Sequence, residues 1–164
     1  MKDIWINKYK NRQYLWSKPK DYHVTVLYTG RNEEIAEESQ IYRDFEEDVE
    51  VDVEVRALLV APDKIMTGVV FTKHAVENSC PHLTLMINQF APKHSNDLLE
   101  ACFTRGRKPL ADVYNQLKTT GKVSADNEVR QVEVSLNNKS PSFPCFFIAL
   151  DEPVTFKGVT KIYY

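Results

Sequence analysis

The sequence predicts an α+β fold made of two similar lobes. Strand-type runs of alternating or β-branched residues recur along the 164 residues, and segments with helical spacing lie between them. The predicted order of elements is β-α-β-β-β-α-α-β-β-β, which fits neither an all-helical nor an all-strand protein. Hydrophobic residues make up 43% of the chain and charged residues 27%, as in soluble globular domains. Because no linker-like break interrupts the pattern, we predict a single domain over residues 1–164.

The first half of the chain predicts a strand, a helix and a β-hairpin. A dense β-type run covers Tyr22–Tyr28 and stops at a Thr-Gly pair. Residues 32–47 carry a loose apolar stripe at helical spacing. Valines then alternate with acidic residues, and the strand they predict runs over residues 49–61. A Pro-Asp-Lys turn follows, which predicts an antiparallel return strand over Ile65–Phe71.

The second half opens on another dense β-type run, His82–Ile87. Helical spacing returns over Asn96–Phe103, with Ser95 or Asn96 as the predicted N-cap. A further helix is predicted over Pro109–Leu117, with proline in its first turn. The C-terminal part of the chain predicts three strands: Val129–Leu136, Phe143–Leu150 and Val154–Tyr163.

The charge balance limits the classes of partner. Lys and Arg total 21 against 23 Asp and Glu, so the formal net charge is −2. This excludes binding to nucleic acid or a membrane surface mainly through bulk positive charge. Three cysteines are too few for a disulfide scaffold and favour a reducing compartment. With no long apolar run and no signal peptide, we predict a cytoplasmic protein.

A small motif occurs twice and carries the chemistry. His23-Val-Thr25 and His82-Leu-Thr84 share the pattern His, apolar, Thr, apolar, and each opens or begins a β-type run. Side chains two positions apart lie on the same face of a strand. Each motif therefore aims one imidazole and one hydroxyl in the same direction.

Two such motifs suit the displacement of a group at phosphorus. One histidine can remove a proton from the nucleophile while the other protonates the leaving oxygen, and the ordinary pKa of imidazole suits both tasks near neutral pH. Two threonine hydroxyls can hold the non-bridging phosphate oxygens. This chemistry requires no metal and no cofactor. The sequence also lacks zinc-ligand spacing and a glycine-rich nucleotide loop.

The paired motifs, separated by a helix and a β-hairpin, resemble the 2H phosphoesterase superfamily. Within it the closest resemblance is to the catalytic domains of 2′,3′-cyclic nucleotide 3′-phosphodiesterases. Residues 51–71 look like the strand–turn–strand between the motifs of that family, and residues 81–99 look like its second motif and the helix after it. The resemblance implies a two-lobed, pseudo-symmetric fold, in which antiparallel sheets line a central cleft and helices lie outside.

The resemblance also implies an activity and roles for single residues. The activity is metal-independent hydrolysis of a 2′,3′-cyclic phosphate to a 2′-phosphate, on nucleotides or RNA 3′ ends. His82 would be the general base and His23 the general acid, while Thr25 and Thr84 bind the phosphate. Tyr28 matches an aromatic residue that helps to hold the base of the substrate. We expect a monomer whose partner is a nucleoside 2′,3′-cyclic phosphate or an RNA 3′ end.

One departure from the family pattern leaves alternatives open. The family has an arginine two residues before the second histidine, where this chain has Cys80. A catalytically inactive module that binds RNA ends is therefore one alternative. A second alternative is a phosphodiesterase for 2′-5′ linked oligonucleotides, which the same two-histidine geometry would serve. A Cys80–His82 nucleophile pair is disfavoured because Pro81 stiffens the backbone between them.

Overall fold

One antiparallel sheet organises the part of the chain that the computed structural model describes, residues 16–27, 38–104, 110–137 and 140–162. Its five strands follow the order β3-β2-β1-β5-β4, and each neighbouring pair is antiparallel. The strands are β1 (Glu50–Ala61), β2 (Ile65–Phe71), β3 (His82–Ile87), β4 (Val129–Val134) and β5 (Phe143–Val159). The predicted α+β class with an antiparallel sheet is confirmed. The strand that begins at His82 has the predicted bounds and lies at one edge of the sheet.

A β-bulge in β1 changes the face of the sheet toward which the residues after it point. The pairing of β1 with both neighbours shifts between Val55 and Ala57. Strict alternation puts these two residues on the same face. In the structure Val55 packs in one apolar cluster and Ala57 in another, because Arg56 is the extra residue of the bulge.

The C-terminal strands differ from their prediction. Phe143–Val159 is one continuous strand, and the separate strands predicted over Phe143–Leu150 and Val154–Tyr163 are therefore wrong. Between the pairs Ala57↔Ala149 and Val55↔Val154, β5 carries four residues and β1 carries one. The strand absorbs Leu-Asp-Glu-Pro as a bulge opposite Arg56, where the sequence pattern suggests a turn.

The described residues form five short helical elements, which lie before and between the strands. They are α1 (Gln40–Asp44), α2 (His94–Leu99) with a π-helical continuation (Glu100–Thr104), α3 (Ala111–Thr120) and a 3₁₀ turn (Ala125–Asn127). Of these, α2 with its continuation and α3 pack on the face of the sheet that carries Ala57. The predicted N-cap of α2 is wrong, because the helix begins one residue before Ser95 and that side chain points inward. α3 ends at Gly121, whose φ of 77° is the left-handed conformation that glycine adopts without a Cβ clash.

The helix predicted over residues 32–47 is only partly described. Residues 32–37 lie outside the described ranges, and α1 ends before Phe45. Ser39 caps it, since its hydroxyl accepts a hydrogen bond from the Tyr42 N–H at 3.3 Å. The helix does not continue to residue 47 because the backbone of Phe45 is already extended, with φ −73° and ψ 126°.

Two apolar clusters lie on opposite faces of the sheet. The main core joins the sheet to α2 and α3, and its largest fully buried side chains include Leu59, Ile65, Leu98, Leu99, Leu110, Leu117 and Phe147. The second cluster is smaller and contains Val55, Val70 and Leu83, with Val24 and Leu85 packed against it. Because Val69 and Val70 are adjacent in β2 but belong to different clusters, both faces of this part of the sheet are covered.

Residues 16–27, called the edge segment, follow the outer edge of β3. Ser17 forms an isolated antiparallel bridge with Ile87, and the Glu77 N–H donates to the Val26 carbonyl at 2.8 Å. The strand predicted from Tyr22 is not formed within the described residues. Prolines at positions 19 and 81 remove backbone donors from the two facing segments, which interrupts a regular ladder. The single-domain prediction for residues 1–164 stays a prediction.

Candidate functional site

The second motif places His82 at the start of the edge strand β3. His82 pairs with Val69 of β2, so its side chain leaves the sheet on the face that carries the main core. Its Nδ1 lies 3.1 Å from the carbonyl oxygen of Cys80. A carbonyl oxygen can only accept a hydrogen bond, so Nδ1 carries the proton and Nε2 keeps a lone pair. An imidazole held in this way can accept a proton at Nε2.

The surroundings of His82 favour its neutral form. Burial lowers its pKa below the ordinary value for histidine, because removal from water penalises the charged imidazolium. The hydrogen bond to the Cys80 carbonyl acts in the opposite direction and raises the pKa. Charge on His23 lowers it further. His23 is therefore close enough in space for its charge to act on His82.

His23 and Thr25 lie in the edge segment and are exposed. Ser17 contacts Ile87 of β3, and Val26 contacts Glu77 in the loop before it. The segment therefore runs antiparallel to this part of the chain, and the register between the two contacts places His23 near the residues that precede His82. Val24, which lies between His23 and Thr25 in the sequence, packs against the second apolar cluster. The first motif therefore lies in the edge segment beside β3, although the edge segment is not itself a strand.

Thr84 differs from Thr25 in being buried. Its exposed fraction is 9%, and its hydroxyl oxygen lies 2.8 Å from that of Ser95, which is fully buried on α2. The Pro92 carbonyl oxygen is a further acceptor at 3.5 Å. The hydroxyl of the second motif is therefore oriented by α2. Sequence reasoning treated Ser95 as a helix cap and missed this contact.

Cys80 is held in the interior and does not resemble a nucleophile. Its side chain is 1% exposed, and burial raises the pKa of its thiol. A reactive cysteine requires a lowered pKa and access to solvent, so a Cys80–His82 nucleophile pair is disfavoured by the structure. The backbone of Cys80 matters instead, because its carbonyl holds His82.

Asn78 fixes the turn that leads into the motif. Its Oδ1 accepts a hydrogen bond from the Cys80 N–H at 2.9 Å, and its Nδ2 donates to Asn96 Oδ1 at 2.7 Å. The Asn-Ser-Cys-Pro sequence is typical of an Asx turn, a signal that could have identified Asn78. Tyr114 of α3 also contributes, since its hydroxyl donates to the Ser79 carbonyl at 3.2 Å.

One residue of the predicted site, Tyr28, lies outside the described residues. In the described part of the chain, no group of three or more His, Cys, Asp or Glu side chains is arranged to hold a metal ion. Among the same residues, none of the helices has the length and apolar character needed to cross a membrane.

Comparison with known proteins identifies a matching family and a solved structure of similar fold. Residues 5–132 match the family described as the fungal tRNA ligase phosphodiesterase domain. No curated protein matches the chain significantly. A crystal structure of a fungal RNA kinase has a similar fold, with a TM-score of 0.50 and 11% sequence identity. The similarity covers 87% of this chain and 36% of that one, so this chain spans about a third of the matched protein.

Proposed function

The chain belongs to the fungal tRNA ligase phosphodiesterase domain family, and from this premise we propose that it hydrolyses 2′,3′-cyclic phosphates at RNA 3′ ends to 2′-phosphates. The family match supports the processing of cyclic phosphates on RNA. The paired His-x-Thr motifs fit a 2H phosphoesterase-like site, and the likeness to 2′,3′-cyclic nucleotide 3′-phosphodiesterases is part of the proposal. One observation carries it: His82 directs an unprotonated Nε2 away from the Cys80 carbonyl while His23 acts on it electrostatically.

His82 acts as the general base in the proposed reaction. A water molecule attacks phosphorus and gives its proton to Nε2 of His82 as the new P–O bond forms. The lowered pKa keeps this imidazole neutral at neutral pH, and Nδ1 stays fixed by the Cys80 carbonyl. The base is thereby prepared before substrate binds.

His23 acts as the general acid. The P–O3′ bond breaks, the electron pair goes to O3′, and the imidazolium of His23 supplies the proton that makes the free 3′-hydroxyl. Repulsion between two imidazolium groups favours a state in which one histidine is protonated and the other neutral. Thr25 and Thr84 are proposed to hold the non-bridging phosphate oxygens, where negative charge increases in the transition state.

The first experiment identifies the product. The protein is incubated with an RNA oligonucleotide ending in a 2′,3′-cyclic phosphate, with and without EDTA, and the 2′- and 3′-phosphate products are separated. We expect the 2′-phosphate at equal rates in both conditions. His23→Ala and His82→Ala each abolish it, because each removes one proton-transfer group. His74→Ala is the matched control, since His74 lies in a loop against Phe45 and outside both motifs.

Other outcomes distinguish the alternatives. A 3′-phosphate product, or loss of activity in EDTA, contradicts the proposed mechanism. Cleavage of a 2′-5′ linked oligoadenylate in preference to the cyclic phosphate identifies the alternative phosphodiesterase. Tight binding of the RNA end without turnover in the parent protein identifies an inactive binding module.

The cellular setting is part of the proposal as well. We propose a reducing compartment such as the cytoplasm, since the chain has only three cysteines, Cys80, Cys102 and Cys145. We propose a monomer that binds a single RNA end. Size-exclusion chromatography with light scattering, at the concentration of the activity assay, tests the oligomeric state.

A further inference from the structure

The carbonyl that orients His82 belongs to a backbone segment that is fixed on both sides. The Ser79 carbonyl and the Cys80 N–H are the two ends of one planar peptide group. Asn78 Oδ1 accepts from that N–H at 2.9 Å, and the Tyr114 hydroxyl donates to that carbonyl at 3.2 Å. Two side chains therefore determine the orientation of the peptide plane just before the Cys80 carbonyl.

The backbone after Cys80 is also constrained. The Val70 N–H donates to the Pro81 carbonyl at 3.0 Å, which joins this part of the chain to β2. Pro81 itself has a fixed φ. With both neighbouring peptides held, the Cys80 carbonyl has one orientation, and it lies 3.1 Å from His82 Nδ1. Loss of either side-chain contact frees the peptide before it to rotate.

Asn78 is the residue on which this arrangement depends most. It holds the Cys80 N–H from one side and is itself anchored to α2, through the 2.7 Å hydrogen bond from Nδ2 to Asn96 Oδ1. Asn96 in turn donates to Glu100 Oε1 at 3.2 Å. The chain of contacts runs from the helix through Asn78 to the backbone that orients His82.

We propose that Asn78 is a positioning residue for His82: by clamping the Ser79–Cys80 peptide it aims the Cys80 carbonyl at Nδ1, and so reserves Nε2 for proton transfer. The proposal rests on the proposed function for its effect on catalysis. Its effect on the imidazole does not depend on turnover. Asn78 does not contact the reacting atoms and acts through the backbone alone.

The test compares Asn78→Ala with Asn78→Asp. Alanine removes the acceptor for the Cys80 N–H, whereas aspartate keeps an oxygen at that position. Partners that orient a metal-bound imidazole through its other nitrogen contribute roughly 10–100-fold. We expect an effect of the same order here, a fall in kcat of about 10–100-fold in Asn78→Ala with KM nearly unchanged. Asn78→Asp keeps that acceptor but loses the Nδ2 donor to Asn96, so we expect its activity to lie between those of the parent and Asn78→Ala. Asn127→Ala is the matched control, because it also removes side-chain hydrogen bonds, to Ser124 and Arg130, far from the motif.

A second readout follows the imidazole directly. Long-range ¹H–¹⁵N correlation spectra distinguish an Nδ1–H from an Nε2–H tautomer. We expect the parent and Asn78→Asp to show Nδ1–H at His82, and Asn78→Ala to show a mixture. The pKa of His82 is expected to fall in Asn78→Ala, because the hydrogen bond that raises it is weakened. Among the described residues, His23 is the charged group that acts on His82; Glu100 and Lys118 act on the Cys80 thiol.

The possible results separate this proposal from the proposed function. If the parent protein has no turnover, the proposed function fails, but a change of tautomer in Asn78→Ala still supports the positioning role. If kcat falls while the tautomer and pKa of His82 stay unchanged, Asn78 is merely structural and the proposal is overturned. Should Asn78→Ala not fold, Tyr114→Phe carries the test. It removes one hydrogen bond and keeps the stacking on Phe103, and an unchanged tautomer there overturns the proposal.

Discussion

The hydroxyl oxygens of Thr84 and Ser95 lie 2.8 Å apart, with Ser95 fully buried and Thr84 9% exposed. This hydrogen bond joins the edge strand β3 to α2. It also fixes the direction of the one hydroxyl that the second motif contributes. The same contact thus supports the fold and orients a residue of the candidate site.

Removal of Ser95 therefore affects stability. In Ser95→Ala the Thr84 hydroxyl loses its near partner in the interior, and we expect unfolding to become easier by about 1–3 kcal/mol. Urea unfolding measures the change. Thr84→Val removes the other member of the pair, and the double variant is expected to cost clearly less than the two single changes together. Strictly additive costs would show that the two hydroxyls do not interact.

The lowered pKa of His82 predicts a pH dependence of stability. Because the folded-state pKa lies below the unfolded-state value, the unfolded chain binds the proton more tightly. Stability is then full above the unfolded value, about 6.5, and is lost as pH falls through the folded-state pKa. We expect the free energy of unfolding of the parent to fall more steeply than that of His82→Gln below this pH. Parallel curves for the two proteins would contradict the lowered pKa.

The activity is expected to follow a bell-shaped pH profile. One imidazole must begin neutral and the other protonated, so kcat/KM falls on both sides of an optimum. Because burial lowers the pKa of His82, the acid limb should lie below the ordinary histidine value. The measurement is kcat/KM for the cyclic-phosphate RNA across the pH range. A flat profile would rule out catalysis by a pair of histidines.

Gly68 in β2 lies close to Val55, so a side chain at this position is expected to be crowded. A Cβ there would lie 3.1 Å from Val55 Cγ1 and 3.4 Å from its Cγ2, and Val55 is itself buried. We expect Gly68→Ala to destabilise the protein by about 1–3 kcal/mol through overpacking. Gly158→Ala is the control, since its Cβ would make ordinary contacts at 3.6 Å and replaces a flexible strand residue. Thermal unfolding of the two variants tests the contrast, and equal losses would contradict it.

Two phenylalanines of β5 provide a test of the core. Phe147 is fully buried, whereas Phe156 is 46% exposed on the same strand. We expect Phe147→Ala to cost about 3–5 kcal/mol, because it leaves a cavity in the main core. Phe156→Ala should cost less than about 1 kcal/mol. Denaturant unfolding measures both changes, and a larger cost at Phe156 would show that its exposed face is covered in solution.

Local pattern was sufficient for several elements of the fold. The hairpin of β1 and β2 and the bounds of His82–Ile87 follow from alternation and turn residues, because strand side chains repeat every two positions. The helix predicted over Asn96–Phe103 is formed by α2 and its continuation, although that continuation is π-helical. The pairing of the two motifs was also visible in the sequence alone.

Tertiary structure decided what depends on distant partners. The bulge at Arg56 reverses which residues face the main core, and periodicity cannot reveal it because the extra residue is defined by the pairing of β1 with β2. The edge segment forms no regular strand, since Pro19 within it and Pro81 before β3 each lack a backbone donor for the ladder. The sequence by itself determined that the chain carries two imidazoles and two hydroxyls in matching motifs, the groups that the proposed reaction needs. The burial of Thr84 against Ser95 and the fixed tautomer of His82 come from contacts between elements, which only the folded chain brings together.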